Sequence, residues 1–228
     1  MRCLITAGPT FEPLDDVRRL TNFSTGSLGT RLANNLAAAG HDVLLLRGKL
    51  ATAALPVATV AVEEFTTTED LRNRLQLRAM PERVALFHAA AVSDFRFGNI
   101  WKRDSTGNLA LTKAGKLSTR DGGYFIELEP TLKILASLRQ WYPNALLVGW
   151  KYEVDGSRDD ALEQGRRQRL ECRTDLTVVN GPAWGRGFGL VDDSGIKAVD
   201  TADAMIEALL ERISNPCGAA RSAGLQPA

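Results

Sequence analysis

Three cysteines and two histidines are all that 228 residues offer to a soft metal or a redox centre. Cys3, Cys172 and Cys217 are scattered and odd in number, so they make neither a zinc spacing nor a disulfide framework. A reducing cytoplasm is the expected setting. His41 and His88 are too few for a histidine metal cluster. Net charge is missing too: 28 Lys and Arg against 27 Asp and Glu leave +1. No global basic field points to nucleic acid, and there is no acidic tail. No apolar run approaches the roughly 20 residues that cross a bilayer, so no membrane partner is expected. A strand begins almost at Met1, which leaves no room for a signal peptide in this sequence. The Walker pattern Gly-x-x-x-x-Gly-Lys-Ser/Thr is absent, and the dinucleotide fingerprint Gly-x-Gly-x-x-Gly does not follow the first strand.

What is present is ordinary in bulk, 44% hydrophobic and 24% charged, enough for one large α/β domain with a sizeable core. Apolar runs predict buried strands at Cys3–Ala7, Asp42–Leu46, Ala58–Val62, Val84–His88, Ala145–Trp150 and Leu176–Val179. Helical patterns lie between most of them: Gly29–Ala39 closed by Gly40, Thr68–Arg78 capped by Thr67 or Thr68, Leu132–Trp141, Arg158–Arg173 and Ala202–Ile213. Such alternation implies right-handed crossovers and a mostly parallel sheet covered on both faces, a Rossmann-like three-layer sandwich. Two segments break the rhythm. Phe95–Gly123, with Lys102, Arg103, Lys113, Lys116 and Arg120 among its glycines, reads as a mobile flap after the fourth strand. Gly185–Val199 reads as a late β-hairpin turning at Asp192–Gly195. The domain is expected to span 1–213, with 214–228 a frayed tail.

The most informative stretch is 3–29. A strand ends in Gly8-Pro9-Thr10, a polar connection holds Asp15, Asp16 and Arg18, and Asn22-Phe23-Ser24-Thr25-Gly26-Ser27-Leu28-Gly29 runs into a helix. Strand, Gly/Ser-rich loop and helix start together make a phosphate site, because unpaired N–H groups and the positive helix end point the same way. In a doubly wound sheet, ligands collect outside the carboxyl ends of the strands. There the other strands deliver Ala89–Asp94, Trp150–Glu153 and Asn180-Gly181-Pro182. Each also has a plain structural reading. Ala89–Ala91 suits tight packing as well as close approach to a ligand, and Asp94 a turn or cap. Trp150 suits the core as well as a nucleobase, Lys151 and Glu153 a solvated pair, Asn180 a turn and Lys116 a solvated loop.

Several strings, in family order over residues 1–213, resemble phosphopantothenate–cysteine ligase. They are Ile-Thr-Ala-Gly-Pro-Thr, Val-Arg-Arg-Leu-Thr-Asn-Phe-Ser-Thr-Gly, Ala-Ala-Ala-Val-Ser-Asp-Phe, Gly-Lys-Leu-Ser-Thr, Glu127–Leu135 and Val-Gly-Trp-Lys-Tyr-Glu-Val-Asp. Bacterial members are often fused behind a flavin-dependent decarboxylase domain, which this sequence lacks, so the likeness is to the stand-alone type. The resemblance implies a ligase of coenzyme A synthesis that activates 4′-phosphopantothenate as an acyl-nucleotidylate and transfers it to cysteine. A nucleoside triphosphate, ATP or CTP, would come with Mg²⁺. Gly8, Ser24, Gly26 and Gly29 would hold the triphosphate, and Trp150 and Asn180 would flank base and sugar. Asn22, Ala90, Ala91 and Asp94 would hold phosphopantothenate, with Asn22 beside the acyl intermediate, where its amide would stabilise developing charge. Lys116 would neutralise the reacting phosphates. Arg18 would reach the substrate phosphate of a neighbouring subunit, which implies a homodimer.

Two departures bear on the nucleotide. Ser27 stands where fused bacterial enzymes have lysine, and Gln168–Cys172 replaces a lysine-rich stretch. Two other functions compete. An inactive nucleotide- or flavin-binding domain would not require both Asn22 and Asp94. A nicotinamide-dependent reductase would want an acidic residue closing the second strand, where Leu46-Arg47-Gly48 stands.

Overall fold

The computed structural model describes residues 1–79, 82–113, 115–118, 120 and 122–214. In chain order its first elements are β1 (Arg2–Ala7), β2 (Phe11–Pro13), β3 (Arg19–Thr21), α1 (Ser27–Ala38), β4 (Asp42–Gly48), β5 (Ala61–Phe65) and α2 (Thr68–Leu77). Next come β6 (Ala85–His88), β7 (Phe95–Arg103), β8 (Leu109–Leu111), β9 (Tyr124–Pro130) and α3 (Ile134–Trp141). The chain continues through β10 (Leu146–Tyr152), α4 (Arg158–Cys172), β11 (Leu176–Asn180), β12 (Phe188–Asp192), β13 (Gly195–Val199) and α5 (Ala202–Ser214).

Eight strands form one sheet in the order β13-β12-β11-β10-β6-β1-β4-β5. From β11 to β5 every pairing is parallel, and the hairpin β12–β13 adds two antiparallel strands. Asp192 pairs with Gly195, so the turn falls where the sequence places it. One core layer joins β1, β4 and β6 to Leu32, Ala33 and Leu36 of α1 and to Met205, Ile206 and Leu209 of α5. On the opposite face Leu4, Leu86 and Leu147 meet Leu71 and Leu75 of α2 and Ile134 and Leu138 of α3. The three-layer sandwich is therefore as expected, and the strand alternation produces it: odd and even positions are both apolar, so both faces must be covered.

Local signals set most helix ends. Gly40, at φ +81°, donates to the Ala37 carbonyl while His41 donates to Leu36, the paired bonds that close a helix through a left-handed residue. Thr67 accepts from the Asp70 N–H, and Ser157 and Asp160 cap α4 reciprocally. Expected and observed bounds differ at β5, which starts at Ala61. Val60 donates to Val57 and holds the preceding residues in a turn.

The larger correction concerns Phe95–Gly123. Its first nine residues are β7, the centre of a separate antiparallel sheet β8-β7-β9 that runs on to Pro130. Part of its charge makes cross-strand contacts. Arg96 pairs with Glu129 at 2.9 Å, and the Arg103 guanidinium lies 4.3 Å from the Phe125 ring centroid. The polar connection after β1 likewise contains the small ladder β2–β3. Of the predicted tail, 215–228 lies outside the described residues.

α1 packs on β1 through Gly29, where a Cβ would come within 2.4 Å of the Ala7 Cβ. Overpacking of that kind costs ~1–3 kcal/mol, more than the ~1 kcal/mol alanine gains over glycine in a helix. Gly29→Ala is therefore expected to lose about 1–2 kcal/mol, read as a lower urea midpoint. An unchanged midpoint would show that α1 can shift freely from β1.

Candidate functional site

From β1 the chain turns one way across the sheet through α1 to β4, and from β6 it turns the other way to β10. Loops leaving adjacent strands in opposite directions open a crevice at their carboxyl ends. A cavity of about 930 Å³ lies there. Nine of the twelve sequence-predicted site residues line it: Asn22, Ser24, Gly26, Gly29, Ala90, Ala91, Asp94, Trp150 and Asn180. Gly8, Arg18 and Lys116 do not.

Gly8 lies directly behind the loop. A Cβ on Gly26 would approach both Gly8 Cα and Gly8 N to 3.3 Å, and Ala51 Cβ to 3.1 Å. Both glycines have positive φ, +83° and +79°, which side chains resist. Ala51 and its neighbours are held in turn by Arg47, a buried guanidinium that donates to the Ala51 and Ala53 carbonyls at 2.7 Å each. Ala53 N–H then donates to the Thr25 carbonyl, so this backing reaches the loop.

Helix ends divide into two kinds. α2 and α4 have side-chain caps and acidic residues in the first turn. α1 and α3, whose first residues line the cavity, have neither. Their first-turn N–H groups have no intrahelical acceptor by position, and the positive ends of both dipoles stand uncompensated at one space. Lys133, Lys151 and Arg167 add positive charge to the wall against Asp94 and Glu171. The result is a site for anions.

The loop after β6 is knitted in place by backbone bonds. Ala89 donates to Thr6, Ala91 to Gly8, and Thr10 to the Ala91 carbonyl. Asn22 Nδ2 donates to the carbonyls of Ala91 and Val92 at 3.1 and 3.3 Å. That contact ties the Asn22–Gly29 loop to the Ala89–Asp94 loop and engages the amide N–H groups expected to stabilise developing charge, leaving Oδ1 as the atom available to a ligand. Lys151 does pair with Glu153, at 2.8 Å.

Several wall residues escape the sequence reading. On one face of α4, Gln164 and Arg167 join Gln168 and Glu171 of the Gln168–Cys172 stretch already noted, and the start of α3 contributes Lys133. His88, the last residue of β6, is buried and lines the same space. Burial holds its pKa down at about 4, so the ring is neutral at pH 7. The overlooked signal was a polar residue ending an apolar strand at the sheet's carboxyl edge. Trp150 serves both readings, packed against the core and lining the cavity.

A family model described as DNA/pantothenate metabolism flavoprotein C-terminal domain matches residues 1–209. The chain belongs to that family. It is 32% identical over 180 residues to the coenzyme A biosynthesis bifunctional protein CoaBC of Thermococcus kodakarensis, covering 78% of this chain and 41% of that protein. Among solved structures, the DNA/pantothenate metabolism flavoprotein from Streptococcus pneumoniae is 29% identical. It has a TM-score of 0.81, covering 95% of this chain and 99% of that one. The C-terminal domain of a bifunctional CoaBC is 25% identical, with a TM-score of 0.69 and 93% of each chain covered. The chain spans about half the length of the curated relatives it matches.

Arg18 and Lys116 lie outside the cavity lining, where the Asp15–Arg18 turn holds Leu117, the neighbour of Lys116, as a latch. Arg18 pairs with Asp15 at 2.6 Å and donates to the Leu117 carbonyl at 2.7 Å. Asp15 also accepts from the N–H groups of Val17, Arg18 and Leu117, and solvent does not reach its side chain. Lys116 is exposed in the segment so held. The Arg18 guanidinium first, and the three N–H groups after it, hold the Asp15 carboxyl well below the usual carboxylate range, against the opposing effect of burial. A depressed native pKa gives stability that is complete above the unfolded value near ~3.9. That stability disappears as pH falls through the native value. Asp15→Asn should therefore lower the urea midpoint at pH 7, and the gap to wild type should narrow below about pH 4. A gap that stays constant down to pH 3 would separate the latch from the Asp15 charge.

Proposed function

We propose that the chain is a ligase that joins 4′-phosphopantothenate to L-cysteine at the expense of a nucleoside triphosphate. The observation that carries this reading is one cavity holding both an anion-binding helix start with its glycine loop and the Ala89–Asp94 loop, joined by Asn22. Membership of a family whose relatives are named for coenzyme A biosynthesis supports it. A pure nucleotide-binding domain has no use for the second loop.

Ser24, Gly26 and Gly29 receive the triphosphate on backbone N–H groups, with Gly8 behind them. The substrate carboxylate oxygen attacks the α-phosphorus, and the bond to the pyrophosphate oxygen breaks. The cysteine amine then attacks the acyl carbon, its proton is lost, and the nucleoside monophosphate leaves with the C–O electron pair. Asn22 Oδ1, the atom its backbone bonds leave free, accepts from the incoming amine. Cys172 lines the cavity, but burial raises its pKa, which disfavours a protein thiolate as acyl carrier and leaves the substrate amine as nucleophile.

Among the described residues no group of three His, Cys, Asp or Glu side chains gathers as a metal site. A magnesium ion fits here as a companion of the phosphates, neutralising their charge, with Asp94 the carboxylate of the Ala89–Asp94 loop on this wall. Trp150 and Asn180 take base and ribose. The Gln164, Gln168 and Glu171 face of α4 offers hydrogen-bonding groups, Gln168 and Glu171 standing where the fused bacterial enzymes have a lysine-rich stretch, so the base preference, ATP or CTP, is decided there. The assignment of Lys116 to the reacting phosphates rests on the resemblance alone. No helix of the described residues is long and apolar enough to cross a membrane.

Pyrophosphate release with phosphopantothenate, cysteine and each of the four nucleoside triphosphates tests the reading directly. Asn22→Ala should slow the cysteine-dependent step by about 10²–10³, the usual size for losing one transition-state hydrogen bond, while the nucleotidylate accumulates. Amide formation at the normal rate in this variant would remove Asn22 from the chemistry.

Arg18 does not line its own chain's cavity, and Val17, Leu20 and Phe23 near it in sequence are exposed, with Phe23 also lining the cavity. An arginine among exposed apolar side chains suits a contact with a second copy, where its planar fork would reach that copy's substrate phosphate. Mixing Arg18→Ala subunits with Asn22→Ala subunits should restore activity, because one site of each mixed dimer then carries neither lesion. No recovery despite subunit exchange would place Arg18 within its own site or outside function.

A further inference from the structure

His88 sits at the cavity with both ring nitrogens accounted for by geometry. Thr6 Oγ1 lies 2.9 Å from Nδ1 and at the same time accepts from the Ala90 N–H at 3.2 Å. Thr6 is buried, and among the described residues its hydroxyl hydrogen has no acceptor other than His88 Nδ1. The hydroxyl must therefore donate to Nδ1, which puts the imidazole hydrogen on Nε2. Among the described residues no group is bonded to Nε2, although the residue is only 6% exposed.

The ring's surroundings indicate what Nε2 meets. Leu86, two residues earlier on the same strand, faces Ile134 and Leu138 of α3. His88 shares that face at the strand end, where α3 begins. The α3 N-terminus has no side-chain cap and no acid in its first turn, and Lys133, Ile134 and Leu135 line the cavity with His88. An N–H donor and a helix N-terminus converging on one space want an anionic oxygen.

We propose that His88 is a ligand-binding residue, held as the Nε2–H tautomer by Thr6, that donates to an anionic phosphoryl or carboxylate oxygen at the start of α3. The name of the ligand rests on the ligase reading; the tautomer and the anion do not. Because the ring stays neutral at pH 7, it adds direction without placing a second cation beside Lys133.

The chain has two histidines, so imidazole ¹H–¹⁵N spectra contain two patterns, and His41→Asn assigns them. The wild type at pH 7 should show Nε2 protonated and Nδ1 bare. Mg-ATP, Mg-CTP, 4′-phosphopantothenate and inorganic pyrophosphate are added separately, and the probe that moves the His88 Nε2–H identifies which anion it meets. Glutamine can place an amide N–H at the Nε2 position, whereas asparagine reaches only Nδ1. His88→Gln should keep the affinity for that probe within about threefold, while His88→Asn and His88→Leu should lose about tenfold. An Nδ1–H tautomer, signals that no probe moves, or a glutamine variant as weak as leucine would overturn the proposal. Movement with pyrophosphate alone, and no pyrophosphate release from any substrate set, would keep His88 as an anion ligand and remove the ligase reading.

Discussion

A Cβ on Gly29 would stand 2.4 Å from Ala7 Cβ, and one on Gly8 2.7 Å from Ala51 Cβ. The absence of those atoms lets the Ser24–Gly29 loop and the first turn of α1 lie directly on the end of β1. The share of the cavity wall built by the start of α1 depends on this approach, since a helix lifted by a side chain would carry its N–H groups away from the strand ends. The constraint extends outward. Gly8 accepts from Ala91, which fixes the second loop, and Asn22 grips that loop from the first. Two loops from different parts of the chain are thereby tied together.

Charge is arranged around the same point. Where helices end away from the cavity, the chain supplies Thr67 with Glu69 and Asp70, or Ser157 with Asp159 and Asp160, and the dipole is neutralised locally. At α1 and α3 it supplies glycine and lysine and no acid. Caps of the usual kind stabilise a helix by about 1 kcal/mol. Leaving two helices without them at one cavity is a local sacrifice of stability, of the sort that marks a site whose partner is a ligand. Arg47 belongs to this pattern as a buried cation bonded to two backbone carbonyls behind the loop.

The parallel sheet was legible because its code is simple. Residues such as Leu44–Leu46 and Leu176–Val179 are apolar on both faces, and Gly40 and Thr67 mark their helix ends by chemistry that acts within a few residues. The β8-β7-β9 sheet was not legible, since it carries its charges in cross-strand pairs such as Arg96–Glu129 and is largely exposed on both faces. Such strands lack the one-sided alternation that signals a strand in sequence. At the site, loop residues announced themselves through composition and the Gln168–Cys172 stretch through its departure from the family pattern, whereas His88, Gln164 and Arg167 became visible only when the strand ends and α4 were brought together. Contacts between residues far apart in the chain leave no local trace.

The chemistry proposed for this cavity brings an anionic carboxylate against an anionic phosphate, so electrostatic repulsion is the first obstacle to reaction. Mobile lysines alone would relieve it at the price of ordering several flexible side chains for each turnover. Backbone N–H groups at two helix ends are already ordered when the ligands arrive, and the bonds that order them belong to the fold. A fixed array of donors favours whichever arrangement of charge it was shaped around. That follows if the strained glycines, uncapped helix ends and neutral buried imidazole serve the transition state rather than either anion alone. In that view Ser27, which stands where the fused bacterial enzymes have lysine, leaves one flexible cation fewer on a wall that fixed dipoles already make positive.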